Sequence, residues 1–109
     1  MRESTVEAAL SRECRLHGFL CLKLTPSTPG VPDRVVLLPG GVAVFVEVKA
    51  PGRRPRAAQI SWHERLADMG HYVCVVDHPA GARDLIAALD GMSYTGANSE
   101  RTAHPKEPR

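Results

Sequence analysis

The sequence predicts a single α/β domain with a small mixed sheet, in the order α-β-β-β-α-β-α, with helices on both faces. Short runs rich in valine and leucine alternate with segments of helical periodicity. Proline- and glycine-rich turns separate these segments, and 109 residues leave no room for a second core. We expect the domain to cover residues 1–91 and a flexible polar tail to cover residues 92–109.

The first part of the chain is predicted to form a helix, a short strand and a loop. The Ser4-Thr5-Val6-Glu7 pattern matches a capping box at a helix start, and Gly18 fits a left-handed helix end. Phe19–Leu24 is typical of a short strand. Three prolines and a glycine between residues 25 and 32 then predict a loop.

A hairpin is expected next, with strands at Arg34–Leu38 and Val42–Lys49 around a three-residue turn at Pro39–Gly41. This odd loop length sets a register in which Asp33 faces Glu47 on one face of the sheet. Two like charges about 4.5–5.5 Å apart repel each other, so the pairing favours a divalent cation between them. A two-residue loop would place Glu47 on the opposite face and remove the site.

The remaining elements are a helix, a strand and a last helix. The second helix should run from Pro55 to Met69, with Gly70 as its C-cap. A strand at Tyr72–Asp77 should lie parallel to the hairpin strand after a right-handed crossover. The last helix should run from about Pro79 to Leu89 and end at Gly91.

Charge and cysteine content narrow the function classes. The net charge is only +2, but residues 14–63 carry seven lysines and arginines against two acids, Asp33 and Glu47. The three cysteines include no C-x-x-C pair, which argues against a zinc site or a disulfide scaffold and favours buried thiols in a reducing cytoplasm. No signal peptide or membrane-length apolar run is apparent.

Each candidate residue also has an ordinary structural explanation. An acid-x-Lys pattern at a strand end is common, and Glu47 with Lys49 could be a same-face ion pair of small energy. The remaining structural explanations are Asp33 as a turn residue, Glu7 as part of the capping box, Gln59 as a helix former, Arg53, Arg54 and Arg56 as a solvated charge run, and His63 as an exposed histidine. The functional interpretation is favoured because all of these residues converge on one site.

Their order, Glu7, then Asp33, then Glu47-Val48-Lys49, resembles the PD-(D/E)xK nuclease motif. More closely, residues 30–34 (GVPDR), residues 45–51 (FVEVKAP) and Gln59 resemble the virus-type replication–repair nuclease (VRR-Nuc) family, in its compact stand-alone phage and bacterial form. The resemblance covers about residues 3–77. Either Glu3 or Glu7 fits the acid that this family carries on its first helix, and we favour Glu7 for its distance from Gly18.

The resemblance implies a Mg²⁺- or Mn²⁺-dependent, structure-specific DNA endonuclease that acts on branched DNA, four-way junctions or flaps, in replication and repair. It implies metal binding by Asp33, Glu47, Glu7 and the Val48 carbonyl, an attacking water oriented or deprotonated by Lys49, and positioning by Gln59. Lys23, Arg34, Arg53, Arg54 and Arg56 would bind backbone phosphates.

Two further hypotheses stay open. One is a catalytically silent DNA-binding or scaffold module of the same fold, and the second is a nuclease of the same superfamily that acts on ends or on RNA. We also expect a homodimer, because a four-way junction needs paired cuts. The apolar stripes at residues 60–66 and 85–89 offer surface for it, although core packing explains either stripe alone.

Overall fold

The structure is a computed structural model that describes residues 1–93. Its elements follow the predicted order: α1 (Glu3–His17), β1 (Leu20–Lys23), β2 (Arg34–Leu38), β3 (Val42–Val48), α2 (Ala57–Asp68), β4 (Tyr72–Val76) and α3 (Pro79–Ser93). The α/β class is therefore confirmed. Most of the segment predicted as a tail, from residue 94 onward, lies outside the described residues.

The four strands form one mixed sheet in the order β1-β2-β3-β4. The pairs β1–β2 and β2–β3 are antiparallel, whereas β3 and β4 are parallel. In the hairpin, Leu38 faces Val42 and Arg34 faces Val46, which is the predicted register. Gly40 and Gly41 both have positive φ angles, +95° and +88°, so the three-residue turn uses backbone conformations that suit glycine.

The core lies between the sheet and the pair of helices α1 and α3. Its fully buried members come from both layers and include Val6, Leu10, Val36, Val44, Val46 and Ile86. His17 near the end of α1 lies 3.2 Å from the Asp90 carboxylate and joins the two helices. Ile86 and Leu89 are buried here, so the apolar stripe of α3 is used for core packing.

The opposite face of the sheet is covered only in part. Helix α2 lies over the end of β3 and beside β4, as its hydrogen bond to Glu47 shows. The rest of this face is apolar and open: Leu20 and Leu22 are 60% and 44% exposed, and Val35, Leu37 and Phe45 are half-buried. We call these five residues the open sheet face.

Four helix ends differ from the sequence prediction. Helix α1 begins two residues earlier, with Arg2 as the N-cap and its carbonyl accepting from the Thr5 N–H, so the capping box expected from Ser4 does not form. Helix α2 ends at Asp68, with Met69 instead of Gly70 as its C-cap. Helix α2 begins after Arg56 instead of at Pro55, because the Gln59 side chain caps the Arg56 N–H. Helix α3 passes Gly91, since Met92 still packs against the core.

Two more features of residues 1–93 concern the length of the helices and the state of the cysteines. None of the described helices is both long and apolar enough to cross a membrane. Cys14, Cys21 and Cys74 are free thiols, of which Cys14 is buried in the core and the remaining two pack against its edge.

Candidate active site

Glu47 is the centre of the candidate site. It lies on the α2 side of β3 and is only 6% exposed, although it is an acid. Its Oε2 accepts a hydrogen bond from Gln59 Nε2 at 3.0 Å and lies 3.8 Å from Lys49 Nζ. Its Oε1 lies 3.8 Å from His63 Nε2. A single buried carboxylate is thus surrounded by one amide, one ammonium and one imidazole.

Burial raises the pKa of Glu47 above its ordinary value, because a low-dielectric environment disfavours the charged form. The nearby charge of Lys49 opposes this effect, whereas Asp33 and Glu3 add to it by repulsion. The net direction is upward, so the native fold holds a carboxylate that lacks enough positive charge. A cation bound at this position would supply that charge.

The second acid, Asp33, follows from the hairpin register. Arg34 is the first residue of β2 and faces Val46, and Asp33 directly precedes it. Asp33 is half-buried, and its carbonyl accepts a hydrogen bond from the Leu24 N–H at 2.7 Å, directly after β1. The predicted turn and hairpin register are confirmed, and the Asp33 charge contributes to raising the pKa of Glu47.

The backbone groups of Val48 point away from β4. The Lys49 N–H donates to the Val76 carbonyl on β4, and backbone groups alternate in direction along a strand, so those of Val48 point towards the β2 side. On that side, a continuation of the hairpin register beyond Arg34 and Val46 would reach Pro32, which has no N–H to donate.

Gln59 is held in one orientation by two hydrogen bonds. Its Oε1 accepts from the Arg56 N–H at 2.8 Å, in the first turn of α2. This assigns the amide nitrogen to the opposite side, where it donates to Glu47. The Gln59 side chain, which is 7% exposed, therefore both caps the start of α2 and orients the Glu47 carboxylate.

His63 lies one helical turn after Gln59 and also faces Glu47. Its side chain is only 14% exposed, so the exposed histidine favoured from sequence is wrong. Burial, with a contribution from Lys49, lowers the pKa of His63 below its ordinary value. The i, i+4 spacing from Gln59 was the signal in the sequence that placed it here.

The two acids of α1 take different places. Glu7 Oε2 lies 2.7 Å from Arg34 Nη2 on β2, and Arg34 is only 8% exposed, so these two side chains engage each other. Glu3 instead lines a cleft with Lys49, and its charge raises the pKa of Glu47.

That cleft is the entrance to the site. It has a volume of about 230 Å³ and opens beside the end of β3. Its lining consists of Glu3, Lys49, Ala50, Arg53, Arg54 and Arg56. The three arginines are exposed, and Lys23 is exposed at the end of β1 without lining the cleft. The negatively charged phosphate backbone of a nucleic acid would contact these cations before it reached Lys49.

Gly30 holds the loop before Asp33 against α2. Its φ is +97°, and a Cβ at this position would stand 2.6 Å from the Ala58 carbonyl oxygen and 2.9 Å from the Trp62 side chain. Both values are shorter than van der Waals contact allows, so only glycine fits. The loop that carries Asp33 and the helix that carries Gln59 are therefore in direct backbone contact.

The oxygen atoms at the site suit a hard divalent cation. Within residues 1–93, no three histidine, cysteine, aspartate or glutamate side chains form a ready-made metal cluster. Mg²⁺ and Mn²⁺ prefer oxygen ligands, and Mg²⁺ usually takes one or two protein carboxylates together with waters and substrate phosphates. Asp33, Glu47 and the Val48 carbonyl fit that pattern, whereas nothing at this site suits a thiolate-bound ion.

Known proteins resemble this chain in sequence and in fold. No family model matches the sequence. The chain is 45% identical over 94 residues to "Putative nuclease p44" of Acyrthosiphon pisum secondary endosymbiont phage 1, a match that covers 85% of this chain and 97% of that protein. A solved structure described as "VRR_NUC domain" superimposes with a TM-score of 0.72 at 33% identity, covering 78% of this chain and 94% of that structure's chain. The chain therefore belongs to the VRR_NUC family of nucleases.

Proposed function

We propose that the protein is a Mg²⁺- or Mn²⁺-dependent endonuclease that cuts branched DNA, four-way junctions or flaps, during replication and repair. The observation that carries this proposal is the buried Glu47 carboxylate, which Gln59 holds and whose pKa Asp33 and Lys49 influence, beside a basic cleft that Lys49 lines. An intact set of this kind favours catalysis over a silent scaffold.

Each residue has a separate task in the proposed reaction. Asp33, Glu47 and the Val48 carbonyl would hold the divalent ion, with Glu3 acting directly or through water. When bound, the ion would supply the positive charge needed to neutralise the phosphodiester and to make a water more acidic. Lys49 orients that water as an ammonium, or takes its proton when it is present as the neutral amine, and Gln59 fixes the Glu47 carboxylate. Lys23 and the three cleft arginines bind backbone phosphates without reading sequence.

The test is a cleavage panel of four-way junction, flap, linear duplex, free ends and RNA, with Mg²⁺, with Mn²⁺ and with chelator. We expect cleavage of a branched DNA only when metal is present. Metal-dependent cutting confined to ends or RNA would replace the substrate assignment. No cutting of any substrate by a folded protein that binds DNA would favour the silent scaffold.

The three arginines that line the cleft are expected to contribute to DNA binding through the phosphates alone. Replacing Arg53, Arg54 and Arg56 together with alanine should weaken binding to every DNA of one shape by the same factor. The slope of log affinity against log salt should fall by about one unit for each phosphate that the variant no longer binds.

The matched control removes three exposed arginines on α1 and α3, namely Arg12, Arg15 and Arg83, and should leave the salt slope nearly unchanged. Fluorescence anisotropy across a salt series measures both variants. A loss of affinity that depends on DNA sequence would show that the cleft arginines contact bases instead.

We also propose a homodimer, with a second copy covering the open sheet face. Leu20 pairs with Leu37, Leu22 pairs with Val35, and Val35 pairs with Phe45. All five side chains are apolar, so no like charges would meet if the open sheet face of one copy packed against the same face of another. Exposed apolar patches of this kind mark association surfaces. Two copies would supply the paired cuts that a four-way junction needs.

We expect light scattering at micromolar concentration to give about twice 11.8 kDa for the intact protein. Leu20→Glu with Leu22→Glu should give monomers that still nick DNA, because these positions lie away from Glu47. The control is Leu16→Glu on α1, which is 66% exposed but lies outside the open sheet face. A wild-type protein that is monomeric at all concentrations would overturn the dimer.

A further inference from the structure

His63 carries a feature that the tasks assigned above do not use. Among residues 1–93, its Nε2 is the one buried side-chain nitrogen or oxygen atom without a hydrogen-bond partner. It lies 3.8 Å from Glu47 Oε1, just beyond hydrogen-bond distance. A buried donor without a partner destabilises a fold, because no hydrogen bond offsets its loss of hydration. A fold keeps such a group more readily where the group has a task.

The position of His63 on α2 indicates that task. Gln59 and His63 are one turn apart on the same helix face, and each approaches a different oxygen of the Glu47 carboxylate. Gln59 already donates to Oε2, whereas Oε1 has no donor within 3.5 Å in the described chain. One hydrogen bond leaves the carboxylate free to rotate about that contact, and a second donor would stop the rotation.

We propose that His63 is a positioning residue: its Nε2–H donates to Glu47 Oε1 in the metal-bound enzyme and, together with Gln59, fixes the carboxylate plane. The gap must shorten by less than about 1 Å to reach ordinary hydrogen-bond length. A carboxylate is an acceptor only, so its neighbour must present a hydrogen at Nε2, as both the Nε2–H tautomer and the imidazolium do. Partners that orient a ligand in this way typically change metal affinity or activity by about 10–100-fold.

The role rests on the proposed function, and the test uses three variants of the full chain. His63→Leu removes the donor and keeps an apolar side chain. His63→Gln keeps an N–H donor near the place of Nε2. Glu64→Leu, at an exposed position of the same helix, is the matched control. The measurements are Mn²⁺ affinity by calorimetry, melting temperature in chelator, and junction cleavage as a function of Mn²⁺ concentration.

We expect His63→Leu to weaken Mn²⁺ binding by about 10-fold or more, and to raise the half-saturating Mn²⁺ concentration for cleavage by the same factor. Its melting temperature in chelator should equal or exceed that of the wild type, because an unpartnered buried donor is gone. His63→Gln should bind Mn²⁺ within about threefold of the wild type, as expected when the hydrogen bond is restored.

Unchanged Mn²⁺ affinity in His63→Leu would overturn the positioning role and leave the proposed function intact. Equal losses of affinity in His63→Leu and His63→Gln, with lower melting temperatures, would also overturn it and make His63 a packing residue. A wild-type protein that binds no Mn²⁺ would overturn the proposed function itself, and the role of His63 with it.

Discussion

Replacing Lys49 with alanine should lower the cleavage rate by about 10²–10⁴-fold, the range expected for loss of a group that moves a proton. DNA affinity should change little, because Arg53, Arg54 and Arg56 line the same cleft and keep their charge. Lys49 Nζ lies 3.8 Å from the Glu47 carboxylate, and only 12% of the Lys49 side chain is exposed. We therefore expect Lys49 to act on the reacting groups and not mainly as a contact to the DNA backbone. Single-turnover kinetics with saturating enzyme separates the chemical step from binding.

Lys49 also lowers the pKa of Glu47, so Lys49→Ala should leave Glu47 more readily protonated. Assays at alkaline pH and high Mn²⁺ concentration therefore separate loss of the water-activating group from loss of metal. The matched control is Arg53→Ala, which removes one cation from the cleft wall. Equal losses of binding and cleavage in Lys49→Ala would reduce Lys49 to a phosphate contact.

Asp33→Asn should abolish the calorimetric signal of Mn²⁺ binding, and it should raise the melting temperature of the metal-free protein. Removing the Asp33 charge removes a repulsion from the buried Glu47 carboxylate. The control is Asp68→Asn, at an exposed position of α2.

The sign of the pH dependence follows from Glu47. Its folded-state pKa lies above the unfolded value, so its contribution to stability is complete at low pH and is lost as pH rises through the folded pKa. Asp33→Asn reduces that loss. The variant should therefore exceed the wild type in melting temperature above the pKa of Glu47, and the advantage should shrink as pH falls below it. An advantage that grew towards acid pH would contradict the repulsion between Asp33 and Glu47.

The hairpin was predictable because its constraints are local. Pro39, Gly40 and Gly41 fix an odd turn, and the side-chain period of two then determines which face each residue takes. Asp33 and Glu47 could thus be brought together from spacing alone. The same local chemistry predicted the left-handed end of α1 at Gly18.

The features that the sequence did not predict depend on how the helices pack against the sheet. The helical period places Glu3 and Glu7 on similar faces, and only packing shows that Glu7 meets Arg34 while Glu3 reaches the cleft. The burial of His63 was missed for the same reason, because a position on a helix does not show whether the surface beside it is covered. The open sheet face was also not foreseen, since apolar alternation on a strand predicts burial without naming what buries it.

The bare Cα of Gly30 lets the loop before the hairpin lie directly against helix α2. Because the contact with Ala58 is backbone against backbone, no rotamer change can lengthen or shorten it. Every residue assigned to the proposed site except Glu3 and Lys23 lies within residues 30–63, so a transplant of this chemistry into another scaffold would have to keep that stretch together. The stretch is about a third of the chain, and the absence of one methyl group at Gly30 sets how closely its loop and its helix approach.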